Sequence, residues 1–292
     1  MRGDAPACAV RVAGSLEEAL GLLAEQPGSW RPLAGGTDLM VPFAAGRLPD
    51  HQFLSLHRLG SLRTIEADSA AVTIGALATY TELRSHPWIR AHLPNLVRSA
   101  EVTGAVAIQN RGTLGGNLVN GSPAADSPPS LLAYAASVEL TSLRGSRWVP
   151  LAAFFTGYKR SALAPDELLT RIRVARPANG FHFFRKVGTR AAQAIAKVCV
   201  AAYARAEDGI VREFRLGLGS VAPVPLRAQA TEAAVLGRPL AALPLKEAQE
   251  ALQGEISPID DIRSTARYRR AVAGNLLAQV LTEFAESLNI RQ

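Results

Sequence analysis

Thr113-Leu-Gly-Gly-Asn-Leu-Val-Asn-Gly-Ser-Pro-Ala-Ala-Asp126 is the stretch on which the reading of this chain turns. Gly115, Gly116 and Gly121 stand among Asn117, Asn120, Ser122 and Asp126, ahead of an apolar run over residues 130–136. Glycines let a backbone turn sharply and let a ligand approach the main chain, because no Cβ stands in the way. Successive N–H groups in such a turn converge on an anion, and short polar side chains add hydrogen bonds to hydroxyls or amides. A lone Gly-Gly pair would be read as no more than a tight loop capping the next helix.

A second glycine turn argues against that. Leu33-Ala34-Gly35-Gly36-Thr37-Asp38-Leu39 follows a short extended segment and precedes a helix-compatible run over residues 40–45. Two such turns, each trailed by hydroxyl or amide side chains, suit a ligand with two phosphates. The β-α-β order that leads into the first turn is superficially that of a dinucleotide fold. Gly-x-Gly-x-x-Gly is absent, however, because no third glycine stands at the required offset from Gly35 and Gly36.

Together the two stretches resemble the hallmarks of the flavin-binding subunit of the molybdenum hydroxylases, the family of the carbon monoxide dehydrogenase medium chain and the xanthine dehydrogenase flavin domain. Those hallmarks are an Ala-Gly-Gly-Thr-Asp-Leu loop and a Thr-Ile-Gly-Gly-Asn loop running on to Ser-Pro-x-x-Asp. Both are present, with Leu114 where isoleucine is commoner. The likeness extends over nearly the whole chain. It implies an α+β fold: a two-part FAD-binding domain with mixed sheets, of the type shared with vanillyl-alcohol-oxidase-like flavoproteins, and a smaller sheet-plus-helices C-terminal domain.

The resemblance also implies roles for particular residues. Within Leu33, Ala34, Gly35, Gly36, Thr37, Asp38 and Leu39, the Gly-Gly-Thr turn would hold one phosphate of FAD; Thr113, Gly115 and Gly116 would hold the other. Asn117 and Asn120 would reach the phosphates or the ribityl chain. Asp126, an acceptor only, suits a sugar hydroxyl; the residue pattern by itself suits an N-cap of the next helix equally well. Lys186 matches the lysine that the family places near the isoalloxazine ring, where a cation would stabilise the anionic reduced flavin. Without the family it reads as a surface lysine at a strand end. Leu169 takes the place of an apolar residue that packs on the ring. Ala191, Ala192 and Gln193 stand where some members carry a tyrosine, so solvent or oxygen access would differ. Neither glycine stretch contains the His or Cys that tethers flavin in the wider superfamily, which implies non-covalent FAD.

By the same resemblance, the chain is an FAD-carrying electron-transfer subunit of a xanthine, carbon monoxide or aldehyde dehydrogenase-like complex. Its partners would be a large molybdopterin subunit and a small subunit with two-iron, two-sulfur clusters, as a dimer of heterotrimers. Electrons would pass from the clusters to FAD and on to an external acceptor. The rival readings are a free-standing FAD-dependent reductase and an FAD-free scaffold.

Composition sets the outer bounds. A chain of 292 residues, 48% hydrophobic and 20% charged, can build a good core and exceeds one typical domain. The turn cluster Pro177-Ala-Asn-Gly180 is the best boundary, giving an FAD-binding domain over 1–177 and a C-terminal domain over 178–292. No apolar run approaches the ~20 residues of a membrane span, and residues 1–10 lack a secretory pattern, so a cytoplasmic location is expected. Net charge is +7, but the arginines are scattered without interleaved aromatics. That excludes an evident nucleic-acid footprint and points weakly to acidic partners. Cys8 and Cys199 are too few for an iron–sulfur cluster and are expected as two buried thiols. His51, His57, His86 and His92 are isolated from one another, so no metal site is expected.

Periodicity and turn signals supply the elements. An edge strand over 7–13 precedes a helix to Glu25, opened by a Ser15/Glu18 capping box. Strands over 53–56, 64–68 and 71–76 read as parts of one mixed sheet. Helices start near Thr79, Pro87 and Pro94. Paired strands over 138–143 and 148–151 lead to a helical turn over 152–157 and a strand over 166–174. Strands over 181–187, 198–205 and 210–217 follow, the last two joined at Asp208-Gly209, then helices over 231–236, 245–252 and 265–288. Within Ser257-Pro-Ile-Asp-Asp-Ile-Arg-Ser-Thr-Ala-Arg-Tyr-Arg-Arg270 lies a likeness to the family's Asp-x-Arg-x-Ser-x-x-Tyr-Arg motif. Its expected role is to orient the last helix or to meet a partner subunit.

Overall fold

The computed structural model describes residues 8–49, 52–190 and 193–289; His51, Ala191 and Ala192, and the first residue of the expected edge strand, lie outside them. The N-terminal part is a parallel sheet built from β1 (Ala9–Val12), β2 (Arg31–Leu33) and β3 (Gln52–Ser55), ordered β1-β3-β2. Its connections carry α1 (Leu16–Glu25) and α2 (Met40–Ala44). Ala19, Leu20, Leu22 and Leu23 recur on one face of α1 and pack with Leu54, Leu56 and Leu59. Ser15 caps α1 as expected, its hydroxyl accepting from the Glu18 N–H at 3.1 Å. The box is not closed, because the Glu18 carboxylate takes the Gly14 N–H at 2.8 Å and not that of Ser15.

The second unit begins with β4 (Ile65–Ala67) and β5 (Ala71–Gly75), followed by α3 (Tyr80–Ser85), α4 (Pro87–His92), α5 (Pro94–Glu101) and α6 (Val106–Gln109). Then come α7 (Leu114–Val119), α8 (Ser127–Ala133), β6 (Ser137–Ser142), β7 (Gly145–Pro150), α9 (Leu151–Phe154), β8 (Phe155–Gly157), β9 (Arg160–Ser161) and β10 (Leu168–Ala175). The sheet β4-β5-β10-β6-β7 is antiparallel throughout. Parallel and antiparallel pairing are therefore segregated, and β3 does not share a sheet with β4 and β5 as the sequence suggested. Helical crossovers join the parallel strands, whereas short turns join neighbours such as β6 and β7, which forces opposite directions. The expected helical turn over 152–157 splits into α9 and β8.

The C-terminal sheet, β11 (Phe181–Val187), β12 (Val198–Glu207), β13 (Ile210–Gly219) and β14 (Leu226–Arg227), is also antiparallel. It packs with α10 (Gln229–Val235), α11 (Leu245–Glu255) and α12 (Ala266–Asn289). Ala273, Leu276, Leu277, Val280, Leu281 and Phe284 line the buried stripe of α12 at helical spacing.

The fully buried α8 joins the two larger units, packing on both β12 and β13. A Cβ on Gly217 would lie 2.1 Å from the Pro129 carbonyl oxygen, so only glycine lets β13 come this close. Polar groups complete the seam. Asn95 Nδ2 donates to the Ala202 carbonyl at 2.9 Å, Ser130 Oγ donates to the Asn95 carbonyl at 3.0 Å, and Tyr134 Oη accepts from the Asn95 N–H at 3.1 Å. Tyr134 Oη also meets His182 Nδ1 at 3.0 Å.

Candidate functional site

The two glycine stretches come together. Gly35 lies against the segment that leads into the second stretch: a Cβ there would stand 1.9 Å from the Arg111 carbonyl oxygen. Gly36 has φ +74°, a conformation that side chains rarely adopt. Ala34 Cβ approaches to 3.9 Å of the position a Gly116 Cβ would take.

Their chemistry differs. Among the described residues, none of the main-chain N–H groups of residues 34–39 donates to a protein acceptor. Asp38 is exposed and the rest of the turn is half-buried, so this row of donors is open to a ligand. The second stretch is a capped helix, not an open loop. Thr113 Oγ1 accepts from the Gly116 N–H at 3.1 Å, while Leu114 and Gly115 donate to the Ala78 and Ala76 carbonyls, each at 2.9 Å. The N–H groups that were expected to hold a second phosphate from Gly115 and Gly116 are thus engaged within the protein. What this stretch offers outward is the exposed surface of Gly116 and the side chains beyond it. Asn117 Oδ1 is buried without a hydrogen-bond partner, and Asn120 is half-buried at the end of α7.

At the far end of the stretch, Asp126 precedes α8 but makes no side-chain cap bond. Its Oδ2 accepts from Lys186 Nζ at 2.7 Å, and the two side chains are 10% and 9% exposed. Lys186 Nζ also donates to the Val102 carbonyl at 3.0 Å. Lys186 is therefore not a surface lysine, and the helix-cap role for Asp126 is set aside. Burial pushes the Asp126 carboxyl up to about 6, with the Lys186 ammonium pulling the other way. Asp126 Oδ1 has no partner. Cys199, opposite Lys186 in the β11–β12 register, is buried, and burial pushes its thiol well up. Cys8 is exposed, contrary to the expectation of two buried thiols.

Leu169 lies where β10 shifts register against β6, and it packs in the same cluster as Leu114 and Leu118 under α7, 6% exposed. The sequence reading did not pick out Val102, which accepts from Lys186, or the Arg111 carbonyl, against which Gly35 packs. Both contribute main-chain oxygens, and side-chain chemistry in the sequence carries no trace of them.

The open donors at 34–39, the orphaned Asn117 Oδ1 and the buried Lys186–Asp126 pair suit a ligand with an anionic part and a polar linker. Sequence comparison supplies its class. Residues 7–177 match the family model described as the FAD binding domain in molybdopterin dehydrogenase. The chain belongs to that family. Residues 183–284 match the CO dehydrogenase flavoprotein C-terminal domain. The chain is 31% identical to the xanthine dehydrogenase FAD-binding subunit of Escherichia coli O157:H7, covering 93% of this chain and 94% of that one. It is 30% identical to the carbon monoxide dehydrogenase medium chain of Hydrogenophaga pseudoflava, over 91% and 93% of the two chains. A solved structure of that organism's carbon monoxide dehydrogenase, in a form lacking the Mo-pyranopterin moiety, superposes with a TM-score of 0.92 at 30% identity. It covers 98% of this chain and 99% of that one. Among the described residues, no helix is long and apolar enough to cross a membrane.

Proposed function

We propose that this chain is the FAD-carrying electron-transfer subunit of a multi-subunit molybdenum-dependent dehydrogenase. The observation that carries the reading is the open row of N–H donors at 34–39, set against a helix whose Asn117 Oδ1 is buried and unpartnered. Both are what a bound diphosphate and its polar linker would satisfy. The turn at 34–39 would hold the diphosphate through fixed main-chain dipoles. Thr113 and Gly116 would give close approach, with Asn117 and Asn120 on the linker. Asp126 Oδ1 would take a hydroxyl or ring N–H, and Lys186 would set the local charge.

FAD supplies a carrier that exchanges electrons singly on one side and in pairs on the other. The chain's own residues would position it, and the Lys186–Asp126 pair is itself shielded from water. A large molybdopterin chain and a small chain with two-iron, two-sulfur clusters would complete the complex, as a dimer of heterotrimers in the cytoplasm that reduces an external acceptor. The FAD-binding part ends near Pro177. The match to an FAD-binding family over 7–177 and the likeness to multi-subunit dehydrogenases support this reading.

The test is purification from the native source with mass spectrometry of what accompanies the chain. One FAD per chain, with large and small partners present, is the expected result. Substrate-dependent bleaching of the flavin should require all three chains. Substrate oxidation by the isolated chain with an artificial acceptor would overturn the subunit reading.

A further inference from the structure

The short helices α3, α4 and α5 frame an open cavity of about 380 Å³, lined by Thr81, Arg84, Ser85, Arg90, Val97 and Glu101. None of these residues belongs to the two glycine stretches. Helical spacing puts Thr81, Arg84 and Ser85 on one face of α3, and Val97 and Glu101 on one face of α5, with Arg90 supplied by α4. Arg84 sets this cavity apart. Among the described arginines that are buried or half-buried, Arg205, Arg215, Arg227 and Arg269 each meet a carboxylate, and Arg270 donates to the Gln253 carbonyl. Arg84 alone has neither. Its Nη1 donates to the neutral Gln109 Oε1 at 2.5 Å, and its Nε is buried without a partner. Glu82, the acidic residue of α3, is turned to Arg63 and to the Thr79 N–H, at 2.6 and 2.8 Å. A half-buried guanidinium without a counter-charge is costly, and an anion in the cavity would offset that cost.

The rest of the lining asks for the opposite charge. Thr81 Oγ1 donates to Asn110 Oδ1 at 2.6 Å, and Ser85 Oγ shares its proton between the Thr81 and Glu82 carbonyls at 3.0 and 3.1 Å. With their protons spent, both hydroxyls offer a ligand only lone pairs. The exposed side chains of Arg90 and Glu101 make no ion pair with any described residue, nor with each other. Cationic donors and electron-rich acceptors therefore line one cavity without neutralising one another. A simple anion would satisfy the arginines but meet Glu101 as a like charge. A molecule that carries both charges satisfies both walls.

We propose that this cavity binds a small zwitterion of the α-amino-acid class. Its carboxylate sits on Arg84 and Arg90, and its ammonium on Glu101 with the Thr81 and Ser85 oxygens. A modest apolar side chain packs on Val97. The planar guanidinium fork matches a carboxylate, and an ammonium supplies three donors to the acceptor wall. The walls are also held in place before any ligand arrives. Gln109 takes the Arg84 bond and donates its Nε2 to the Glu101 carbonyl at 3.0 Å, joining α3 to the end of α5. Such preorganisation lowers the ordering cost of binding. The site stands on these side chains alone and does not depend on the FAD reading.

The test titrates L-valine and L-alanine into the full-length, FAD-loaded chain and follows binding by ligand-observed NMR. Isovalerate (valine without its amine), isobutylamine (valine without its carboxylate) and inorganic phosphate are the comparison probes. Valine should bind tighter than isovalerate or isobutylamine by about tenfold or more, the weight of one charged hydrogen bond. Glu101→Gln should erase the advantage of valine over isovalerate, and Arg90→Gln should weaken both by about tenfold. Both substitutions fall on exposed side chains, so melting temperature and FAD content should match wild type. Isovalerate or phosphate binding as tightly as valine would make this a plain anion site and overturn the proposal. Absence of binding by either amino acid overturns it as well. So does a valine affinity untouched by both substitutions, which would place the binding elsewhere. None of these outcomes bears on the FAD reading.

Discussion

Lys186 Nζ lies 2.7 Å from Asp126 Oδ2, joining two side chains sixty residues apart, both about nine-tenths buried. The ammonium does not act on its surroundings as a lone cation. Paired with a carboxylate, it presents a dipole to anything beside it, and its influence on a neighbouring ring falls accordingly. A buried pair of this kind is better evidence for a specified geometry than for net stability, because desolvating two charges offsets most of their attraction.

Removing one partner should cost more than removing both. Lys186→Met or Asp126→Asn should each lower stability by roughly 3–5 kcal/mol, and the double variant should recover much of that loss. Urea unfolding of all four forms gives the coupling. In Lys186→Met the Asp126 carboxyl should rise beyond its value of about 6. A group whose folded pKa is raised favours the fold when protonated, so this variant should lose stability as pH climbs from about 4 towards 7. Additive losses in the cycle would mean that the pair is not coupled.

Gly35 and Gly116, alike in the sequence, should answer substitution differently. A Cβ on Gly35 meets the Arg111 backbone at 1.9 Å, and backbone on both sides leaves no side chain to move away. Gly35→Ala should lower both stability and FAD content, the stability by about 1–3 kcal/mol as for overpacking. A Cβ on Gly116 crowds the Thr113 hydroxyl, at 2.8 Å, and makes only ordinary contact with Ala34 Cβ at 3.9 Å on an otherwise exposed surface. Gly116→Val should cost about 1 kcal/mol through the disturbed cap and yield folded but colourless protein. Paired melting curves and absorbance spectra check both, and equal behaviour of the two variants would refute the distinction.

The contrast shows where the sequence was legible. Glycine pairs marked the site because a missing Cβ is visible in the sequence, and Ser15, Thr79 and Asp208-Gly209 marked element ends through local bonds. The alternation of strands after Pro177 located β11, β12 and β13 almost to the residue. What could not be read was which carbonyl each N–H finds. The engagement of Gly115 with Ala76, the separation of β3 from β4 and β5, and the pairing of Asp126 with Lys186 all depend on contacts distant in sequence. That Leu169 shares a cluster with Leu114 and Leu118, at the point where β10 shifts register against β6, likewise depends on pairing that local sequence does not carry.

His182 should make the seam between the two larger units acid-sensitive. Burial, reinforced by the positive Arg98, lowers its imidazole from 6.5 to about 4. The neutral ring is therefore favoured in the fold. The stability it contributes is complete above about 6.5 and is lost as pH falls through about 4. Thermal melting between pH 7 and pH 4 should show a decline that is shallower in His182→Gln, which cannot be protonated there. Identical slopes in the two proteins would place the acid sensitivity elsewhere.

Asn117 offers the sharpest separation of ligand binding from folding. Its Oδ1 is buried without a partner in the protein, so the fold bears a desolvation cost that no protein group returns. Replacing it with leucine removes that cost and keeps a side chain of similar size on α7. Asn117→Leu should leave the apoprotein as stable as wild type, or raise its melting temperature. If the oxygen is held for FAD, the same change should weaken FAD binding by about tenfold, the value of one hydrogen bond of ~1.4 kcal/mol. Titration of the apoprotein with FAD, followed by flavin fluorescence, reads the affinity; calorimetric melting with and without FAD reads the stability. A destabilised apoprotein with undiminished FAD affinity would make Asn117 a structural residue and remove it from the site.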